Sequence, residues 1–253
     1  GDQGPYALAA GPAGARVAAL ETAGKGRATV AAYLAAGTLS DPDGREGTSR
    51  LLSLLVARTL DGALREVPGL DPDLVESSVT SEADRTGVIV TVPASRWREA
   101  LDAARHALLD PDLDPASFEA ERQRCLALAA DPGDPASRSL WAAVSALLGT
   151  SGDPGPGGTA SSLGTISASW MREFHRAAAR RGVAIAVAGD LDAPLACRSA
   201  VVSLHPWAAW TLEAGTAAAL VDPSPVAPPP GGLAPVEIGP GPTSSVTLAW
   251  AAP

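Results

Sequence analysis

The segment from residue 46 to residue 60, EGTSRLLSLLVARTL, predicts a helix with three positions of chemical interest. Arg50, Ser53 and Leu54 lie on one face of that helix, because residues three and four apart are neighbours on a helical surface. On such a face, two imidazoles could bind a zinc ion together with a further ligand from elsewhere in the chain, and a carboxylate could activate the water on the metal. The Arg50 guanidinium has no free lone pair, and Leu54 has no ligand atom at all. Ser53 is no general base at neutral pH, so the segment predicts a helix without zinc chemistry.

The other side chains that could do chemistry are few and scattered along the chain. The chain has three histidines, none with a second histidine within five residues: His106, His175 and His205. The sequences His-Glu-x-x-His, Cys-x-x-Cys and Gly-x-Ser-x-Gly do not occur. Glu119 and Glu121 are predicted to be solvated on the exposed face of a helix. This inventory on its own predicts no catalytic constellation.

Composition and charge argue against several classes of function. The chain has 253 residues, and its 28 acidic and 19 basic side chains give a formal net charge of -9. An acidic chain without a basic patch repels phosphate backbones, which argues against a nucleic-acid partner. No apolar run predicts a membrane span, and the N-terminal residues lack the features of a signal peptide. We therefore expect a cytoplasmic protein, and the abundance of Ala, Gly, Pro and Arg is typical of a GC-rich bacterial genome. Two cysteines, Cys125 and Cys197, are too few for a disulfide framework.

The elements that would position these side chains follow a partly segregated order. Strands are predicted at 15–21, 28–36, 74–80, 86–92 and 183–188, and helices at 48–60, 96–109, 116–130, 135–148 and 168–181. The first helix is expected to stop near Asp61-Gly62, and Ser95, Asp114 and Ser167 are expected to cap later helices. The order β-β-α-β-β-α-α-α-α-β indicates an α+β fold rather than a doubly wound parallel sheet.

The C-terminal part of the chain has a different composition. Residues 221–242 are rich in proline and predict an interdomain linker. Residues 243–253 contain one more predicted strand, SSVTLAW, which we assign to the start of a second domain that this chain largely lacks. Residues 1–220 are therefore expected to form one α+β domain.

Several short phrases occur in the order seen in one family of peptidases. Ala36-Gly37-Thr38 is followed by Glu46-Gly47 and then at once by the helix that begins TSRLLSL. Phe118 and Glu121-Arg122 form a Phe-x-x-Glu-Arg phrase, and AIAVAGDLD follows later in the chain. Together these phrases resemble the N-terminal domain of the pitrilysin/insulinase/mitochondrial-processing-peptidase family. Its active members are inverted zincins, with His-x-x-Glu-His on a helix.

The resemblance implies that the zinc site of this family is lost here. The two histidines of the family correspond to Arg50 and Leu54, and the glutamate corresponds to Ser53. The further glutamate ligand corresponds to a position within 128–131, where Asp131 alone could ligate a metal. The resemblance also implies a mixed, largely antiparallel sheet packed against helices. We therefore expect no zinc, no other cofactor and no intrinsic peptidase activity in this chain.

Inactive members of this family often pair with an active sister subunit, which leads to a hypothesis for function. The chain would be the zinc-less subunit of a heterodimeric metallopeptidase. It would close the chamber and bind peptide substrate, while the zinc-binding sister cleaves it, for example to remove a leader peptide. Two alternatives stay open: a structural or assembly subunit without a proteolytic role, and an unrelated enzyme with a non-metal site. Trp207 and Trp210 are interpreted as core residues, with an exposed anchor for a partner as the alternative.

Overall fold

The computed structural model describes residues 5–130 and 157–207. The strands are β1 (Tyr6–Ala10), β2 (Arg16–Glu21), β3 (Arg27–Leu34), β4 (Glu76–Ser81), β5 (Thr86–Pro93) and β6 (Val183–Gly189). The helices are α1 (Thr48–Arg65), α2 (Trp97–Leu109), α3 (Pro115–Ala130), α4 (Ala160–Gly164), α5 (Ala168–Arg181) and α6 (Ala193–Ser203).

A six-stranded sheet in the order β1-β2-β6-β3-β5-β4 organises these elements. Every neighbouring pair of strands is antiparallel except β2 and β6, which run parallel. β6 is the last of these strands in the chain, and it lies between β2 and β3, so it joins two antiparallel parts into one sheet. The predicted α+β fold with a mixed, largely antiparallel sheet is confirmed.

Strand β3 shows why one face of the sheet is buried. Its burial alternates residue by residue, with Ala28, Val30, Ala32 and Leu34 almost fully buried and the intervening residues half-buried. Successive side chains of a strand point to opposite faces, so this apolar set faces the helices. Helix α2 packs against β3, α1 packs against β4 and β5, and α6 packs against β1 and β2. Burial of each larger aliphatic side chain contributes about 1.5 to 3 kcal/mol.

Two helix starts have the predicted capping chemistry. The Asp114 carboxylate accepts hydrogen bonds from the backbone N–H groups of Ala116 and Ser117, which lie 2.8 and 3.2 Å away. The Ser167 hydroxyl accepts one from the N–H of Trp170 at 3.2 Å. In both cases a short polar side chain directly precedes the helix and satisfies amides that the helix leaves unpaired.

Several predicted boundaries are wrong, each for a local reason. Helix α1 does not stop near Asp61-Gly62 but continues to Arg65, because a glycine inside a helix costs only about 1 kcal/mol and packing can outweigh it. Ser95 lies in a 3-10 turn, and α2 begins at Trp97 without a side-chain cap. Strand β1 and helix α6 were not predicted, since their alanine-rich sequences carry a weak periodic signal.

Other predictions concern residues outside the described ranges and stay predictions. These are the helix at 135–148, the domain boundary at residue 220, the proline-rich linker at 221–242 and the strand within 243–253. Within the described ranges, no helix has both the length and the apolarity that are needed to cross a bilayer.

The unbroken course of α1 predicts that Gly62→Ala stabilises the protein. Gly62 lies inside the helix, and a methyl group at this position would meet no atom within 4 Å. We expect the free energy of unfolding to rise by about 0.5 to 1 kcal/mol, because alanine has the higher helix propensity. Urea unfolding followed by circular dichroism measures this change.

The matched control is Gly69→Ala, which places the same methyl group at a backbone φ of 68°. Alanine is strained in that left-handed conformation, so this variant should lose about 1 kcal/mol of stability. Destabilisation by Gly62→Ala would contradict a helix that runs through this position.

Candidate functional site

The face of α1 that carries the predicted ligand positions is packed into the protein. Ser53 and Leu54 are only 3% and 6% exposed, and Arg50 is half-buried. The Ser53 hydroxyl donates a hydrogen bond to the backbone carbonyl of Arg50, 2.7 Å away. The proton of this hydroxyl is therefore committed to the backbone of the helix itself. None of the three side chains is prepared to bind a metal or to activate water.

Helix α3 forms the other side of this region. It packs along α1, and its buried Cys125 thiol lies within electrostatic reach of the Arg50 guanidinium. Burial raises the pKa of Cys125 to about 11, and the nearby cation offsets only part of that rise. The thiol is therefore protonated at neutral pH, which makes it a poor nucleophile and a poor metal ligand.

The predicted position of a further metal ligand, residues 128–131, supplies no donor side chain within the described ranges. Leu128 is exposed and Ala129 is half-buried, whereas Asp131 lies outside those ranges. Among residues 5–130 and 157–207, no three His, Cys, Asp or Glu side chains are grouped so that they could hold a metal ion. Because Arg50 and Leu54 also offer no lone pair, the described residues of this region do not fit a zinc ion.

The Glu121 side chain is buried, which corrects the expectation that it is solvated. It is only 6% exposed, and its two carboxylate oxygens lie 3.6 Å from the Nη1 atoms of Arg58 on α1 and Arg124 on α3. One of these oxygens, Oε2, receives no hydrogen bond, so the attraction is that of charges rather than of hydrogen bonds. The carboxylate thus ties α1 to α3. Glu119 is exposed as predicted and pairs with Arg122 on the same helix.

The start of α1 is closed by Asp41, a residue that no sequence motif singled out. The residue before the helix, Gly47, has a φ of 91° and no side chain with which to cap it. Asp41 Oδ2 and Oδ1 instead accept hydrogen bonds from the N–H groups of Gly47 and Ser49, each at 2.8 Å. The one sequence feature that could have indicated such a cap is Gly47 itself, because a glycine before a helix leaves the first backbone N–H groups to be paired by a residue from elsewhere.

A second chain segment crosses the start of α1 at close range. Gly47 and Gly158 have φ values of 91° and 71°, and a methyl group on either would collide with the backbone of the other segment. The Ser162 hydroxyl donates a hydrogen bond to the Glu46 carbonyl at 2.8 Å. Thr159 caps α4 by accepting a bond from the N–H of Ser162. Glycine is therefore needed at positions 47 and 158, because only glycine lets two backbones approach this closely.

The three histidines are not brought together. His106 and His205 are exposed. His175 is buried, and its Nε2 atom lies 2.8 Å from the Leu108 carbonyl. Burial lowers the pKa of His175, which favours the neutral ring. Trp207 is buried, as expected for a core residue, and Trp210 lies outside the described ranges.

Comparisons with known proteins identify the fold. No protein-family model and no curated protein matches the chain. Among solved structures, the chain is similar to the inactive domain of a peptidase M16 from Pseudomonas fluorescens, with a TM-score of 0.61 and 19% identity over 78% of this chain and 50% of that chain. It is also similar to the periplasmic protease PqqL from Escherichia coli, with a TM-score of 0.66 and 15% identity over 80% of this chain and 24% of that chain. For pitrilysin the TM-score is 0.65 and the identity 18%, over 79% of this chain and 22% of that chain.

These likenesses confirm the fold that the sequence phrases predict, which is that of the pitrilysin-type, or M16, peptidase domains. Because the identities are low, the likeness concerns the fold alone. The chain spans half of the P. fluorescens chain and about a quarter of PqqL and of pitrilysin.

The packed state of Leu54 predicts that its truncation destabilises the protein. We expect Leu54→Ala to lower the free energy of unfolding by about 2 to 4 kcal/mol, because loss of a buried leucine side chain leaves a cavity. Urea unfolding measures the change. The control Leu39→Ala, at a side chain that is 50% exposed, should cost less than about 1 kcal/mol. An equally small loss of unfolding free energy in both variants would mean that position 54 lies in an open site rather than in the packed interior.

Proposed function

We propose that this chain is a zinc-less subunit of a heterodimeric metallopeptidase that processes peptides. The observation that carries the proposal is which amino acids occupy positions 50, 53 and 54 of α1 in a fold of the M16 type. Arg50 and Leu54 stand where zinc-binding histidines would be needed, and Ser53 stands where a general base would be needed. The similarity to a domain described as the inactive domain of a peptidase M16 supports the same conclusion. The chain by itself is expected to have no peptidase activity.

The choice of a polypeptide substrate is supported by another protein of similar fold. The ferredoxin protease FusC, whose structure was determined in complex with Arabidopsis ferredoxin, matches this chain with a TM-score of 0.64 and 15% identity, over 77% of this chain and 23% of FusC. By analogy, this chain would help to enclose a peptide, while a sister subunit holds the zinc and cleaves the bond. Removal of a leader peptide is one reaction of this kind. A cytoplasmic location stays a prediction from the sequence.

The contact between α1 and α3 supports the proposal that this subunit keeps its fold without a metal ion. In a zinc enzyme of this type, the metal would link the two helices through ligands on both. Here Leu54 is packed into the protein on α1, and Glu121 on α3 pairs with Arg58 on α1 across the same contact. Packing and an ion pair can hold the two helices together, so this contact does not depend on a metal ion.

The test is purification of the full-length tagged protein from its own host, with mass spectrometry of the proteins that accompany it. We expect a partner that carries His-x-x-Glu-His, and we expect the pair to cleave peptides that neither subunit cleaves alone. The matched control is the same pair with the motif glutamate of the partner changed to glutamine. That variant should keep the complex and lose cleavage, because the general base is removed.

Two results would contradict the proposal. Peptide cleavage by this chain alone would refute the absence of catalysis. Purification with partners that are not peptidases, or with no partner, would favour the alternative of a structural or assembly subunit.

A further inference from the structure

Two short contacts between oxygen atoms meet at the hydroxyl of Ser49. Its Oγ lies 2.6 Å from the carbonyl oxygen of Gly37 and 2.5 Å from Oδ1 of Asp41. Both distances are those of O–H···O hydrogen bonds, and two oxygen atoms this close without a proton between them repel each other. One hydroxyl proton can form a short, near-linear hydrogen bond to only one of these two oxygens, so the other contact needs a proton from its partner.

Only one of the three groups at these contacts can supply the second proton. A serine hydroxyl carries one proton, and a backbone carbonyl carries none. The Gly37 carbonyl also accepts a bond from the N–H of Ser40 at 2.8 Å, so it is an acceptor in both of its contacts. Asp41 is the one group of the three that can gain a proton. Both short contacts of Ser49 Oγ are hydrogen bonds only when the Asp41 carboxyl is protonated.

We propose that Asp41 is a neutral carboxylic acid in the folded protein at mildly acidic pH and forms a proton-dependent lock at the start of α1. Its Oδ1–H group donates to Ser49 Oγ, and the Ser49 hydroxyl donates to the Gly37 carbonyl. Oδ2 keeps its bond from the N–H of Gly47, and the remaining lone pair of Oδ1 accepts from the N–H of Ser49. One proton thus completes a chain of bonds from residues 37–41 to the first turn of the helix. This inference does not depend on the proposed function.

The surroundings of Asp41 favour the neutral acid. Burial raises the pKa of Asp41 from its ordinary value of 3.8 to about 6, and the Glu46 carboxylate adds to the rise. The ionised carboxylate would instead accept hydrogen bonds from the Ser49 hydroxyl and from the N–H groups of Ser49 and Gly47, and these bonds oppose the rise in pKa without cancelling it. On the side of α3, the Cys125 thiol is itself protonated and places no cation beside the carboxyl.

The cations of this region have other neighbours. Arg45, in the loop that precedes α1, lies over the ring of Trp170, with its Cζ atom 4.2 Å from the ring centroid. Arg50 in the first turn of α1 lies within electrostatic reach of Cys125. Arg181 at the end of α5 donates to the Ser40 hydroxyl at 3.3 Å. Within the described ranges, Asp41 takes part in no ion pair.

Loss of the proton opens the lock. The Ser49 hydroxyl then has one proton for two acceptors, so its contact with either Asp41 or Gly37 becomes repulsive. Because the pKa of Asp41 is higher in the folded protein than its ordinary value, the stabilisation is fully present below pH 3.8 and is lost as the pH rises through about 6. The device makes the start of α1 sensitive to pH in the weakly acidic range.

The direct test is an NMR titration of the full chain labelled with ¹³C at the aspartate carboxyl groups. Asp41→Asn identifies the Asp41 signal, because that signal is missing from the spectrum of the variant. We expect the Asp41 signal of the wild-type protein to titrate with a midpoint near pH 6. A midpoint at or below the ordinary value of 3.8 would overturn the proposal.

Urea unfolding of the same proteins between about pH 4.5 and pH 7.5 gives an independent readout. The wild-type protein should lose stability across this interval as Asp41 ionises, and Asp41→Asn should remove that part of the loss. The matched control is Asp43→Asn, which changes an exposed carboxylate of the same loop and should keep the wild-type pH dependence. A wild-type pH dependence in Asp41→Asn would contradict the proton-dependent lock.

Discussion

Helix α1 begins after a glycine that cannot cap it, and much of the surrounding structure depends on how this helix end is satisfied. The Asp41 side chain returns to accept the N–H groups of Gly47 and Ser49, which fixes the loop between β3 and α1. The same glycine permits the close crossing at Gly158. Ser162 then binds the Glu46 carbonyl, 116 residues away in the chain. One missing side chain is thereby compensated by contacts that join distant segments.

The features that could be predicted from the sequence are those that arise from local interactions. The apolar alternation of β3 and the polar residues Asp114 and Ser167 before α3 and α5 act within a few residues, so each leaves a readable pattern. The cap from Asp41 depends on the path of a loop, which no periodicity encodes. Strand β1 consists largely of small residues and depends on its pairing with β2. Glu121 was misjudged because its pairing with Arg58 joins two separate helices.

In the candidate site, too, the sequence predicts what depends on local spacing but not what depends on packing. Arg50, Ser53 and Leu54 could be located from the sequence because the phrases around them resemble those of a known family, and their common face follows from helical spacing. The burial of these side chains could not be predicted from the sequence, because it depends on how the surrounding elements pack around α1. A zinc site needs polar groups with free lone pairs, whereas a helix contact needs side chains that fill space, and this face has the second character. The chain therefore combines an M16-type fold with an α1 face that has the character of a helix contact.

The expectation that this chain binds no zinc is tested most directly by native mass spectrometry of the purified full-length protein. The protein would be treated with a chelator and then incubated with a small excess of zinc. We expect the mass of the metal-free chain under both conditions, because Arg50 and Leu54 provide no ligand and the Ser53 hydroxyl bonds to its own helix. A stoichiometric zinc adduct that survives buffer exchange would contradict it.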